Sequence, residues 1–253
     1  MFQCLASRAI RYPVNYEAFR KGENESACKD KNKAWTRGKF INSFKTTPCT
    51  YAFCFDKLFP ANNIDYNFDE IVSDAIGRVI SDRELSGSDH VLPVLHVPRK
   101  EDGSYRSELF PDLFLKVAEE LAPPIIAAPE REFGDGIYER ARIVYEIRCQ
   151  LAQLGRYQPI HLLGTGNPIS IAIFAMAGAD FFDGLEWCRT VADRATGLLY
   201  HHQQYDFFRT QTKMSQRNIV REAATDEQIE FLAKMAFHNL DVFDEWMQEV
   251  RDA

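Results

Sequence analysis

The sequence predicts an α/β fold in which about five short parallel strands alternate with helices, and a helical segment closes the chain. Between about residues 48 and 183, five short apolar runs are separated by stretches that carry apolar residues at helical spacing. Strands that are apolar at nearly every position are typical of a parallel sheet with both faces covered by helices. With 253 residues, the chain can form one large domain, or one domain with an appendage.

The clearest unit is a strand, a glycine turn, a helix and a second strand in succession. The apolar strand Ile160–Leu163 stops at the turn Gly164–Gly166, and Pro168 then stands near the first helical position, where its missing N–H costs nothing. The helix is apolar nearly all round, which predicts burial on more than one side. The second strand, at 180–183, should run parallel to the first, and it places Asp183 at a carboxyl strand end, where functional residues gather.

The elements before this unit follow from local patterns. Residues 1–47 form a divergent N-terminal segment, in which the polar stretch 21–45 indicates a loop or extension. Asp56 and His96 are expected at or near the carboxyl ends of the first two strands. The predicted strands are 48–55, 90–97 and 124–128, and the predicted helices are 68–85, 109–121 and 137–154.

Two arrangements of such strands compete, an open doubly wound sheet and an eight-stranded (β/α) barrel. Five strands are too few to close that barrel, and the first 47 residues are too short for three more strand–helix units of about 30 residues each. Three alternatives therefore stay open: the barrel is partial, a partner chain completes it, or the sheet is open.

The C-terminal segment, residues 201–253, follows the predicted (β/α) domain at 48–200. Residues 198–208, around its start, indicate a hairpin or strand, and a polar stretch follows at 209–218. Thr225 and Gln228 have the spacing of a capping box, which predicts a terminal helix over 226–251.

Composition limits the function classes. Thirty basic and 37 acidic residues give a net charge of −7, which argues against nucleic-acid binding by bulk charge alone but leaves room for a local basic groove. The six cysteines show no CxxC pair and predict reduced thiols in a cytoplasmic protein. No signal peptide and no membrane-spanning apolar run is expected.

Six stretches, in order, resemble the tRNA-guanine transglycosylase superfamily, whose members exchange guanine for a 7-deazaguanine on a TIM barrel. The resemblance covers roughly residues 48–253. The stretches are YAFCFDKLFP, LPVLHV, FGDG, HLLGTGNP, ADFFDGLEWCRT and AFHNLDVFDEWMQEVRDA. The resemblance implies a TIM-barrel-like domain, partial or irregular here, that acts on tRNA or, as in some relatives, on DNA. Because the barrel is short, a homodimer or a partner subunit is an open alternative, and the lack of a long apolar run predicts no membrane contact.

The resemblance also implies roles for individual residues. Asp183 is expected to be the nucleophile that attacks C1′ of the nucleoside, and Asp56 to accept hydrogen bonds from the N1–H and N2–H₂ donors of guanine. His96 is expected to donate to the purine O6. The expected substrate-binding turns are Gly134, Asp135 and Gly136, and Leu163, Gly164 and Gly166; the expected nucleic-acid contacts are Arg189 and Arg194.

The sequence also departs from the family pattern. The upstream DSGGFQ segment, whose Asp is the family's general acid/base, is missing, and Pro129-Glu130 stands about where the family has a Gly-Gly pair. The family's structural zinc uses CxCxxC and the His of an HNL motif; His238 is present, but no cysteine follows Cys188. We therefore expect no zinc and no other cofactor.

Two other functions fit the same residues. The chain could be a non-catalytic or half-site subunit of such an enzyme, because the upstream acid/base and several strands are missing. It could also be an unrelated α/β enzyme that binds a phosphorylated small molecule at the Gly164–Gly166 turn and the following helix N-terminus.

Overall fold

The computed structural model describes residues 36–47, 49–56, 58–59 and 65–252. Most of the predicted segment 1–47, and Pro60 of the FDKLFP motif, lie outside these residues. The described residues divide into two compact units, the first formed by those up to Leu162 with Gly178–Phe181 and the second by Leu163–Ala177 with those from Phe182 onwards. The predicted boundaries near residues 47 and 200 stay predictions.

The strands of the first unit follow one another in chain order. Strands β1 and β2 are parallel, with Ala52 beside Val91, and a parallel bridge joins Val94 to Ala127 of β3. Strands β3, β4 and β5 form a sheet in that order. The strand bounds are β1 Ala52–Phe53, β2 Val91–Leu92, β3 Ile126–Pro129, β4 Ile160–Leu163 and β5 Phe181–Phe182.

This order confirms the α/β class. In a doubly wound sheet, the order of the strands along the sheet reverses at a switch point. The neighbouring strands β1 to β5 follow their order in the chain without such a reversal. The described residues nevertheless form small sheets and no closed barrel, so the barrel-like part of the prediction is not confirmed. The strands are also shorter than predicted; β2 ends at Leu92, and residues up to His96 continue as a buried loop with one bridge.

Four helices accompany these strands in the described part of the first unit. Helix α2 begins with a capping box between Asn67 and Glu70 and ends at Gly87, which has a φ of 69°. The buried residues of α3 and α4 include Phe114, Val117 and Ile147. The helix bounds are α1 Arg37–Thr46, α2 Phe68–Ser86, α3 Phe110–Leu121 and α4 Ile137–Leu151.

Helix α1 corrects the expected loop in the stretch 21–45. The Thr36 side chain caps its N-terminus by accepting from the N–H of Lys39. Phe40 and Phe44, four residues apart, lie on one face and are buried. These two aromatic residues form the apolar face of the helix, which is hard to recognise in a sequence that is otherwise mostly polar and charged.

The second unit is helical, with one antiparallel pair of strands in its described residues. Strands β6 and β7 pair Val191 with Tyr200. Val191, Tyr205 and Met235 form its buried cluster. Its elements are α5 Pro168–Ala177, α6 Glu186–Arg189, β6 Thr190–Ala192, β7 Leu199–His201, α7 Arg209–Lys213, α8 Asn218–Thr225 and α9 Phe231–Asp252.

Two expectations for this unit were wrong in detail. Thr225 ends α8 rather than capping the terminal helix, because its hydroxyl donates back to the carbonyl of Glu222, and α9 begins only at Phe231. The polar stretch 209–218, for which no element was predicted, contains α7 and the start of α8. Helix α5 buries one face, through Pro168, Ile171 and Phe174, while Met176 is 81% exposed.

No helix among the described residues is both long enough and apolar enough to cross a membrane.

Candidate functional site

Three acid–base side chains meet where the first three strands end. Nδ1 of His96 donates to Oε1 of Glu132 at 2.8 Å, and Nε2 donates to Oδ1 of Asp56 at 2.5 Å. Asp56 follows β1, His96 follows β2, and Glu132 lies in the 3₁₀ turn Glu130–Phe133 that follows β3. Because the strand ends of a parallel sheet share one edge, residues far apart in sequence are brought together there.

The local backbone fixes this cluster. The second oxygen of Glu132 accepts from the N–H of Val97 at 3.1 Å, so both of its oxygens are engaged. The chain just before Asp56 is held by Asp82 of α2, which accepts from the N–H of Phe55 at 2.6 Å and from Arg37 at 2.7 Å. Both ends of the cluster are therefore tied to rigid elements.

The cluster keeps His96 charged. Burial by itself lowers the pKa of His96, but the negative charges of Glu132 and Asp56, and the hydrogen bonds to them, outweigh burial and raise the pKa to about 9. An imidazolium donates from both ring nitrogens, which suits a position between two carboxylates.

The arrangement changes the expected role of His96. Both of its nitrogens are engaged by carboxylates, so it supports Asp56 where direct donation to a purine O6 was expected. The side chain of Asp56 is 18% exposed, against 2% for His96 and 1% for Glu132, so Asp56 is the member that solvent reaches. Sequence reasoning missed Glu132, although a carboxylate just after an apolar strand is a pattern that could have identified it.

The Gly134–Gly136 turn is built against helix α4. Gly134 has a φ of 130°, and a Cβ there would collide with the carboxylate of Glu139, so this position needs glycine. Arg140 donates to the carbonyl of Gly134 at 2.7 Å, and the N–H of Asp135 donates to Glu139 at 3.0 Å. These contacts give the turn a structural role, while Asp135 and Gly136 remain exposed.

The second unit contains the other predicted carboxylate. The N–H of Gly164, a residue with a φ of 84°, donates to Oδ1 of Asp183 at 2.7 Å. Burial raises the pKa of Asp183, and the hydrogen bond from Gly164 opposes part of this rise. The glycine turn and Asp183 are therefore in direct contact, with Leu163 half-buried beside them in sequence.

A further carboxylate lies at the same turn. Glu186 opens the short helix α6, and its Oε2 atom is buried with no hydrogen-bond partner among the described residues. A Cβ on Gly166 would collide with this carboxylate, and a Cβ on Gly184 would lie 2.6 Å from the Cα of Gly166. Gly166 and Gly184 thus allow two backbone segments and a carboxylate to meet, a relationship that sequence reasoning missed.

The two predicted nucleic-acid contacts differ. Arg189 is exposed, and no ion pair in the described chain includes it. Arg194 is bound by Asp241 and Glu245. Burial lowers the pKa of Arg194, but these hydrogen bonds and charges outweigh it, so the pKa is raised. Arg194 is therefore already neutralised within the protein and is not available to a phosphate in this arrangement.

The residues at the expected zinc position do not fit the metal. His238 is buried, with Nε2 donating to the carbonyl of Ala192 at 2.7 Å and Nδ1 accepting from Thr212 at 3.1 Å. Burial lowers the pKa of His238, which keeps the ring neutral. Within the described residues, no group of three or more His, Cys, Asp or Glu side chains is arranged to hold a metal ion.

The structure brings Asp56 and His96 together in the first unit, with Glu132 added, and Gly164 and Asp183 together in the second. No family model matches this chain, and no curated protein matches it.

Proposed function

We propose that this chain catalyses base exchange in nucleic acid, replacing guanine by a 7-deazaguanine through a covalent intermediate on Asp183. The observation that carries the proposal is the pairing of Asp56 with a charged His96. An ionised carboxylate complements the two N–H donors of the guanine Watson–Crick edge, whereas the N1 acceptor of adenine would face another acceptor.

The chemistry assigned to Asp183 is a double displacement. Its carboxylate attacks C1′ of the flipped-out nucleoside, the bond from C1′ to N9 breaks, and guanine leaves with the bonding electrons and takes up a proton. The incoming base then attacks C1′, loses its own N9 proton and releases the carboxylate. Glu186 lies at the same glycine turn and is our candidate for the group that gives and takes this proton.

The polymer is tRNA or DNA, and Arg189 is the remaining candidate for a phosphate contact. The four cysteines within the described residues are free, which supports the expected reducing, cytoplasmic setting.

The half-site subunit is the second candidate. The observation that favours it is the engagement of Arg194 by Asp241 and Glu245, which removes one of the two expected phosphate contacts. If the chain is a half-site subunit, a second copy or a different subunit supplies the missing nucleic-acid-binding surface.

The test is covalent trapping. The chain is incubated with guanine-containing tRNA or single-stranded DNA and hydroxylamine, and an adduct is sought by denaturing electrophoresis. We expect an adduct in the wild type and in Asp206→Asn, an exposed Asp of the same unit, and none in Asp183→Asn. An adduct that persists in Asp183→Asn would contradict the assigned nucleophile. If the wild-type chain forms no adduct by itself but forms one when a partner subunit is added, the second candidate is favoured.

A further inference from the structure

Glu132 is almost fully buried, and the proposed reaction as described so far assigns it no role. A buried carboxylate is costly unless it is paired. Its partners are the N–H of Val97 and Nδ1 of His96, and the other nitrogen of that ring binds Asp56. Glu132 therefore contacts the more exposed carboxylate only through the histidine ring.

We propose that Glu132 is a positioning residue that, through His96, holds the Asp56 carboxylate in the orientation that reads the Watson–Crick edge of guanine. This inference rests on the proposed function and deepens it.

The physical reason lies in the number of ring protons. A charged imidazole presents an N–H to Asp56 and another to Glu132 at the same time. A neutral imidazole has a single N–H, so one of the two carboxylates faces a bare nitrogen, and at 2.5 Å the lone pairs of Asp56 and that nitrogen repel each other. Asp56 must then turn away or take up a proton, and in both cases it no longer offers the same acceptor to guanine.

Helix α2 brings two further charged groups close to this cluster. Arg78 donates to the carbonyl of Val94 at 3.4 Å, and Asp82 binds the N–H of Phe55. Neither donates to or accepts from the His96 ring, so Glu132 and Asp56 are the groups that set its charge.

The change Glu132→Gln removes the charge but keeps the size and an acceptor for Val97. With its oxygen on the N–H of Val97, the amide turns its NH2 group towards Nδ1 and donates to it, so the neutral ring keeps its N–H on Nε2, facing Asp56. We expect the His96 titration to fall from about 9 towards 6.5. As pH rises through that lower value, the charge-assisted hydrogen bond from Nε2 to Asp56 becomes a weaker neutral one and holds the carboxylate less firmly.

The experiment uses the full chain and two readouts. NMR of the His96 ring, assigned by the loss of its signals in His96→Asn, gives the titration in the wild type and in Glu132→Gln. Equilibrium binding of radiolabelled free guanine gives the affinity at pH 6, 7 and 8. We expect constant affinity in the wild type and a weakening of about three- to tenfold towards pH 8 in Glu132→Gln. The matched control is Glu130→Gln, which changes a carboxylate of the same turn that binds Arg140 and does not bind His96.

Each outcome decides the inference. An ordinary titration of His96 near 6.5 in the wild type overturns it even if Glu132→Gln does not fold. A uniform loss of guanine affinity at all three pH values in Glu132→Gln would mean a purely structural role and also overturns it. If Asp56→Asn abolishes guanine binding while Glu132→Gln leaves it unchanged, this inference alone fails. If the wild type does not bind guanine, or Asp56→Asn binds it as well as the wild type does, the base-reading part of the proposed function fails as well.

Discussion

The N–H of Gly164 donates to Oδ1 of Asp183 across 2.7 Å, which ties the glycine turn after β4 to the carboxylate after β5. The same carboxylate is buried enough for its pKa to be raised. A carboxylate with these properties is fixed in direction, and its ionisation is opposed by burial.

The change Asp183→Asn separates catalysis from stability. We expect base exchange to fall by on the order of 10⁴-fold, because the nucleophile is lost. Because the folded-state pKa of Asp183 is raised, the folded protein prefers the protonated form. Its contribution to stability is fully present below the unfolded pKa and is lost as pH rises through the folded value.

Asp183→Asn should therefore have a higher free energy of unfolding than the wild type at pH 7, and this gain should shrink at pH 4. Urea unfolding at both pH values measures it. A variant that loses stability at pH 7 would argue against the burial penalty on Asp183.

The charge on His96 predicts a stability loss at alkaline pH. Its folded pKa of about 9 lies above its ordinary value of 6.5, so the folded protein binds this proton more tightly. The stabilisation is fully present below pH 6.5 and is lost as pH rises through about 9, with a size of roughly 3 kcal/mol. Urea unfolding at pH 6, 7.5 and 9.5 should show this loss in the wild type and should show much less of it in His96→Gln. If the free energy of unfolding changes with pH in the same way in the wild type and in His96→Gln, the proposed link between the His96 proton and folding would be refuted.

The change Gly166→Ala tests the close approach at the second glycine turn. The new methyl group would displace the buried carboxylate of Glu186 and would lie 3.1 Å from the Cα of Gly184, so we expect a loss of about 1–3 kcal/mol. The control is Gly77→Ala in helix α2, where a Cβ meets nothing within 4 Å and a gain of about 0.5–1 kcal/mol is expected. Thermal unfolding measures both changes, and equal effects of the two substitutions would contradict the described packing.

The change Asn239→Ala tests the structural role of the HNL motif. The amide of Asn239 accepts from the N–H of Ala192 at 2.9 Å and donates to the carbonyls of Trp187 and Thr190 at 2.9 and 2.7 Å. Removing it leaves buried backbone groups without partners, which should cost about 3 kcal/mol.

Gln248→Ala, on the exposed face of the same helix, should cost far less. We expect a metal chelator to change the unfolding midpoint of neither variant, nor that of the wild type, since His238 is engaged by Ala192 and Thr212. A chelator-dependent shift in the midpoint would overturn this assignment.

The sequence by itself determined the features that depend on neighbouring residues. Helix α2 follows from apolar residues at helical spacing between Asn67 and Gly87, and strand β4 follows from a short apolar run that ends at Gly164. Asp56 and His96 could be predicted as neighbours because each follows a strand, and the carboxyl ends of parallel strands lie at the same edge of a sheet.

Only the tertiary structure decided which groups pair. Glu132 meets His96 across 36 positions, and Arg194 meets Asp241 across 47, and no local pattern encodes either pairing. Helix α1 was missed because two buried phenylalanines stabilise a sequence that is otherwise polar. Secondary structure reflects periodicity over a few residues, whereas the charge of a buried histidine depends on which carboxylates the fold brings within about 3 Å of it.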